Sequence, residues 1–143
     1  MQIEGKTPVF ITQEVLALLS TRKEAAERIS TKATDEKGAE KIRLKITETN
    51  GFIKELMDEL QQYGDAVMGD TDRDNNYQNT WREILKVLDT ADSGELQQRF
   101  AEMEIALATT YRTVLDNEAE WPDTLQKKLE HQAQEIEAGN QVS

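Results

Sequence analysis

The stretch IRLKITETNGFIKELMDELQQY, residues 42–63, contains the strongest periodic signal in the chain. Steps of four and three alternate without a break through Ile42, Ile46, Thr49, Ile53, Leu56, Leu60 and Tyr63. This spacing places these residues on one face of an α-helix. Phe52 and Met57 widen the face beyond a coiled-coil seam, so we expect this helix to pack against more than one neighbour.

The same reasoning predicts three more long helices. The first runs from about Thr12 to Thr31, the third from Ser93, taken as its N-cap, to near Asn117, and the last from Trp121-Pro122 to Gly139. Their apolar faces comprise Val15, Leu18, Leu19, Ala25, Ala26 and Ile29; Leu96, Phe100, Met103, Leu107, Tyr111 and Val114; and Leu125, Leu129, Gln132, Ala133 and Ile136. The charged residues assigned to the wetter face of the first helix are Arg22, Glu24, Glu27 and Arg28.

A short amphipathic helix is predicted from about Asn75 to Thr90, between the second and third long helices. Its apolar face is too large for a free-standing surface helix and comprises Tyr77, Trp81, Leu85 and Leu88. We therefore expect it to lie across the other helices or in a dimer contact, anchored by Trp81.

These helices predict an all-α fold. Because a long connection can carry the chain from one end of a bundle to the other, we expect a ferritin-like four-helix bundle. The short extra helix lies in the crossover between helices 2 and 3. Residues 1–11 are expected to form an irregular leader, and residues 12–140 a single domain.

Composition excludes several classes of function. The formal charge is −11, so we expect neither nucleic acid nor a membrane surface as a partner. The chain has neither a spanning apolar run nor a secretory signal, which predicts a cytoplasmic protein. Without cysteine and with the single His131, thiolate sites and sites that need two imidazoles are excluded. Hydrolase, kinase and dehydrogenase motifs are absent as well.

A calcium loop was weighed at residues 70–76. Carboxylates stand at its first, third and fifth positions, but the twelfth position holds Trp81 instead of a bidentate acid. An acidic approach to the N-terminus of a helix is the better interpretation of this stretch.

Carboxylates on the long helices leave one metal hypothesis open. Di-iron bundles use glutamates together with Glu-x-x-His motifs, and the candidates here are Glu48 and Glu104, with Glu135 or His131 as further ligands. The matching histidines are missing, because Gly51 follows Glu48 and Ala138 follows Glu135 by three residues.

The chain resembles a family of bacterial ferritin-like four-helix-bundle proteins of unknown function over roughly residues 12–140. The resemblance rests on Lys23–Glu27, Glu48, Phe52–Leu60, Gly64, Trp81, Glu104, Tyr111, Pro122, Leu129 and Gln132. It implies a scaffold whose relatives handle iron and oxygen, and it supplies no established reaction.

The expected function is a non-catalytic helical bundle that forms a homo-oligomer, a dimer in the simplest case, or binds a protein partner, with a stress-related role as its setting. No cofactor is expected. The alternative is a carboxylate-rich, di-iron-like bundle that binds iron or manganese.

Overall fold

The structure, a computed structural model, describes residues 8–32, 36–61, 76–87, 90, 92–116 and 123–141. These residues form five α-helices and no strand. The helices are α1 (Pro8–Lys32), α2 (Glu36–Gln61), α3 (Asn76–Lys86), α4 (Ser93–Leu115) and α5 (Asp123–Gln141). The predicted all-α fold class is confirmed.

Helix α1 packs against α2, α3 and α4. Its run from Val15 to Leu19 is therefore buried on all sides, with exposed fractions of 0–5%. Helix α5 packs against α2 and α4, and α3 lies on α1 and α4. The apolar core draws on all five helices and includes Ile29, Leu56, Leu60, Trp81, Leu96, Phe100, Leu107, Leu125 and Leu129.

Side-chain contacts fix the directions of the helices. The contacts of α5 pair Thr124 with Glu59, Gln132 with Phe52 and Tyr111, and Asn140 with Glu104. In each pair of helices a later residue of α5 meets an earlier residue of its neighbour, so α5 is antiparallel to both α2 and α4. Helices α2 and α4 are consequently parallel. Three residues join α1 to α2. The two helices pack closely against each other and form an antiparallel hairpin.

Two predicted helix boundaries in the outer parts of the chain are wrong. Helix α1 begins at Pro8, inside the segment predicted as a leader, because proline loses no hydrogen bond in a first turn. Helix α5 continues through Gly139 to Gln141, so this glycine does not end the helix. At Gly139 a Cβ atom would lie 2.6 Å from the Lys45 ammonium, so the missing side chain permits a close approach instead.

The N-cap of α4 is Asp92, not the predicted Ser93. Its Oδ1 accepts a hydrogen bond from the Glu95 N–H at 2.8 Å, which satisfies one of the free donors of the first turn. Several other predictions concern residues outside the described part of the chain: the first residues of the leader, the calcium loop before Asn76, Gly64, Leu88, and the boundary at Trp121-Pro122.

The crossover helix α3 was predicted to lie either across the other helices or in a dimer contact. The structure places it against other helices of its own chain. Trp81 of α3 is 1% exposed, and its ring centroid lies 5.8 Å from that of Phe100 on α4. Gln78 of α3 also donates a hydrogen bond to Thr21 Oγ1 of α1 at 2.9 Å. Tyr77 and Trp81 of the apolar face of α3 are therefore buried within the molecule.

Candidate functional site

Arg22 is a fully buried charged residue in the interior of the molecule, with an exposed fraction of 0%. It stands three residues after Leu19 and three before Ala25, so its spacing places it on the apolar seam of α1. The prediction that Arg22 occupies the wetter face is wrong. The charge of Arg22 predicted exposure to solvent, but its position on α1 directs the side chain between α2 and α4. An unpaired guanidinium there would be very costly.

Three side chains hold the Arg22 guanidinium. Nε and Nη2 donate to the two carboxylate oxygens of Glu104 at 2.9 and 2.6 Å, in a bidentate pair. Nη2 also donates to Glu48 Oε1 at 2.7 Å, and Nη1 donates to Thr49 Oγ1 at 3.1 Å. The Thr49 hydroxyl in turn donates a hydrogen bond to the Lys45 carbonyl at 2.6 Å. One α1 side chain therefore ties together α2 and α4.

The charges of this cluster are balanced. Lys45 Nζ lies 3.7 Å from Glu104 Oε1, so two cations face the carboxylates of Glu48 and Glu104. Burial disfavours the charge of Arg22, but the hydrogen bond and charge of Glu104, followed by those of Glu48, outweigh it. The pKa of Arg22 consequently lies above its ordinary value, and its charge is fixed at every pH at which the protein is folded.

Two of the predicted metal ligands do come together here. Glu48 and Glu104 both lie within hydrogen-bond distance of the same nitrogen, Arg22 Nη2. The cation between them is the guanidinium, and the histidine ligands of di-iron bundles are absent from this part of the core. The residues present fit an arginine and do not fit a pair of metal ions.

The other two predicted ligands lie elsewhere. His131 and Glu135 have 59% and 52% of their side chains exposed on α5, and they face each other at 3.9 Å, one turn apart. Glu104, by contrast, is 3% exposed. Among the described residues there is no group of three histidine or acidic side chains that could hold a metal ion.

A second buried polar network connects α4 and α5 to α2. The Tyr111 hydroxyl donates to Gln132 Oε1 at 2.6 Å. Gln132 Nε2 in turn donates to the Phe52 carbonyl at 3.2 Å and to Glu55 Oε1 at 3.1 Å. Burial raises the pKa of Tyr111 well above its ordinary value, so its hydroxyl stays a donor. The amide of Gln132 thus uses both ends to link neighbouring helices.

Two buried polar atoms close to the Arg22 cluster, Tyr77 Oη and Trp81 Nε1, make no hydrogen bond of good geometry among the described residues, although the two groups interact with each other. Both belong to α3, and Trp81 is 1% exposed. Burial, followed by the charge of Glu104, raises the pKa of Tyr77, so its hydroxyl is neutral. The apolar packing of these rings on α1 and α4 must offset the poor hydrogen bonding of their polar atoms.

Comparisons with known proteins give no match to a family model, to a curated protein or to a solved structure. The likeness to ferritin-like bundles therefore stays a prediction from the sequence. In the described ranges, the helices are too short or too polar to cross a membrane.

Proposed function

We propose that this chain is a ferritin-like four-helix bundle that has no catalytic centre and acts by self-association in the cytoplasm. Helices α1, α2, α5 and α4 would form the bundle, in that order around the core, and α3 would be the extra helix of the crossover. The directions of the helices support this arrangement, since parallel α2 and α4 require a long connection between them.

The observation that carries the non-catalytic function is the position of Arg22. It supplies, between Glu48 and Glu104, the positive charge that a metal ion would otherwise supply to interior carboxylates. Both oxygens of Glu104 are engaged by the guanidinium, which leaves this carboxylate little capacity to act as a ligand or as an acid or base.

Exposed apolar side chains support self-association. Leu44 on α2 and Ile105 on α4 are 60% and 59% exposed, although both belong to helices that are otherwise packed. A second copy of the chain would cover them, and a protein partner is the alternative occupant. The net charge of −11 on each copy opposes a homodimer, so added salt should strengthen it and should weaken a complex with a basic partner.

Light scattering after size exclusion tests this proposal. We expect a dimer whose population rises between low and high NaCl concentrations, and dissociation by Leu44→Glu or Ile105→Glu. Val87→Glu is the matched control, because Val87 is also exposed, at 49%, but follows α3. A monomer at all salt and protein concentrations would contradict self-association.

Metal analysis tests the proposal that the bundle has no catalytic centre. Protein purified without chelator should contain no stoichiometric iron or manganese, and Arg22→Gln should be examined alongside it. The Arg22→Gln variant can be made in a Gly51→Ala background, since Gly51 lies in α2 with open space around it and alanine there favours the helix. Stoichiometric metal in the wild-type protein would favour the di-iron-like alternative, with Glu48 and Glu104 as ligands.

A further inference from the structure

A cleft of about 240 Å³ opens between α2 and α4, past the last turn of α5. Helix α5 reaches α4 at Asn140, whose Nδ2 donates to the Glu104 carbonyl at 3.3 Å. Gly139 and Asn140 of α5 line one end of the cleft, and the stretch of α4 before Glu104 faces α2 across it.

The walls of the cleft are largely apolar. Ile42 of α2 and Phe100, Ala101 and Ile105 of α4 line it. Its volume is below the roughly 300–1,000 Å³ of pockets for drug-sized ligands, so a molecule of a few carbon atoms is the appropriate size.

Two lysines line the cleft, and one of them is without an ion pair among the described residues. Lys41 and Lys45 stand one turn apart on α2 and both line it. Lys45 lies 3.7 Å from Glu104 and is part of the charge balance of the Arg22 cluster, so the charge left to the cleft is that of Lys41. Lys41 forms no ion pair with any described residue. In a chain with a net charge of −11, this is a local site for an anion.

Glycine at position 139 leaves room for the Lys45 ammonium beside α5. A Cβ atom there would be 2.6 Å from Lys45 Nζ, so any larger residue must displace the ammonium. The close approach of Lys45 to the backbone of α5 therefore depends on this glycine, which the helix itself does not require.

We propose that this cleft binds a small amphipathic monocarboxylate. The carboxylate lies between the ammonium groups of Lys41 and Lys45, and the alkyl chain lies against Ile42, Phe100 and Ile105. The charge of the cleft excludes amines, and its apolar walls favour a hydrocarbon tail over a small polar anion. Ile105 also belongs to the surface proposed for self-association, so a dimer that covers Ile105 would compete with this binding.

Titration with hexanoate, followed by ¹H–¹⁵N chemical shifts, tests the proposal. Hexanoate should shift the amides of cleft residues such as Lys41, Gln97 and Ala101, whereas hexanol should bind more weakly and hexylamine should not bind. Equal affinity for hexanoate and hexanol, or no shift of the cleft amides by hexanoate at tens of millimolar, would overturn it.

Variants then test the two parts of the site. Lys41→Gln should weaken hexanoate binding about two- to fivefold, as expected for an exposed ionic contact, and Lys54→Gln, on the same helix but outside the cleft, should not. Gly139→Ala should weaken binding without lowering the melting temperature. Ala101→Leu should fill the cleft and abolish binding, with Ala138→Leu as the control at an exposed alanine of α5. Unchanged binding in both Lys41→Gln and Ala101→Leu would place the ligand elsewhere.

Discussion

Two arginines of the described residues, Arg22 and Arg112, each bind one glutamate in a bidentate pair and a second glutamate through one contact, in opposite surroundings. Arg22 binds Glu104 and Glu48 with none of its side chain exposed, whereas Arg112 binds Glu137 and Glu130 with 38% exposed. Both pairs include a bidentate contact: Arg112 Nε and Nη2 donate to the two oxygens of Glu137 at 2.7 Å each. Arg22 also donates to Thr49, and Lys45 lies near Glu104, but the larger difference between the two clusters is burial.

Burial changes what each cluster does for the fold. Water screens Arg112 and would solvate its partners if it were removed, so this cluster contributes little to stability. The interior offers Glu104 no such replacement, since it is 3% exposed. Removing Arg22 would leave a buried carboxylate without its main partner, which is far more costly than the net worth of the pair.

The largest effect is expected from Arg22→Met. We predict a loss of about 3–5 kcal/mol in the free energy of unfolding, the range for breaking a buried ion pair from one side. Urea titration followed by circular dichroism measures it. The double variant Arg22→Met/Glu104→Met should recover most of the loss, because apolar residues can fill the same volume without a buried charge. No recovery in the double variant would show that the cluster stabilises the fold by more than charge compensation.

The second prediction compares this polar interior with the apolar one. Leu107→Ala and Leu56→Ala should each lower the free energy of unfolding by about 2–5 kcal/mol, because both side chains are 0% exposed and truncation leaves a cavity. Glu24→Ala should change it very little, since 66% of the Glu24 side chain is exposed. Similar urea midpoints for Leu107→Ala and Glu24→Ala would contradict the assigned faces.

The third prediction concerns a neutral buried network. Tyr111→Phe removes the hydroxyl that donates to Gln132 Oε1 and leaves that oxygen unpaired in the core. We expect a loss of about 1–3 kcal/mol, less than at Arg22 because no charge is stranded. Gln132→Leu should cost less in the Tyr111→Phe background than alone, because the hydroxyl–amide bond is already lost there, although the bonds of Nε2 to Phe52 and Glu55 are lost in both cases; a double-mutant cycle measures this difference. Additive losses would show that the two side chains act independently.

Sequence patterns were sufficient for the fold class and for most of the core, and they failed where residue type and spacing disagreed. Ile42, Leu56 and Leu107 are both apolar and correctly spaced, so either criterion places them inside. Arg22 has the spacing of a core residue and the chemistry of a surface residue. Its burial depends on Glu104, 82 residues away, and no local pattern reports such a partner.

The candidate site was predicted in part for the same reason. Glu48 and Glu104 were selected as edge residues of their helices, and they do meet, but the cation between them comes from a third helix. His131 and Glu135 were selected by chemical type alone, and the structure leaves both exposed. The useful signal in the sequence was Arg22, a charged residue at the centre of the apolar seam of α1. Such a residue indicates a buried ion pair as readily as a solvent-exposed face.

The smallest effect is expected from Arg112→Gln, the surface counterpart of the Arg22 variant. The Arg112 hydrogen bonds hold the pKa of Glu137 below its ordinary value of 4.5 in the folded protein, with the arginine charge acting in the same direction. A carboxyl group with a lowered pKa stabilises the fold above its unfolded value, and this contribution is lost as the pH falls through the folded value. The small difference in the free energy of unfolding between wild type and Arg112→Gln should therefore be present at pH 6 and shrink as the pH is lowered below 4.5. It should also shrink in about 0.5 M NaCl, because salt at that concentration screens charges over roughly a few ångströms. Urea midpoints of both proteins at each pH and salt concentration measure it. A difference that persists unchanged in acid and in salt would mean that Arg112 stabilises α4 and α5 through packing of its aliphatic stem, and the contrast with Arg22 would then lie in more than burial of charge.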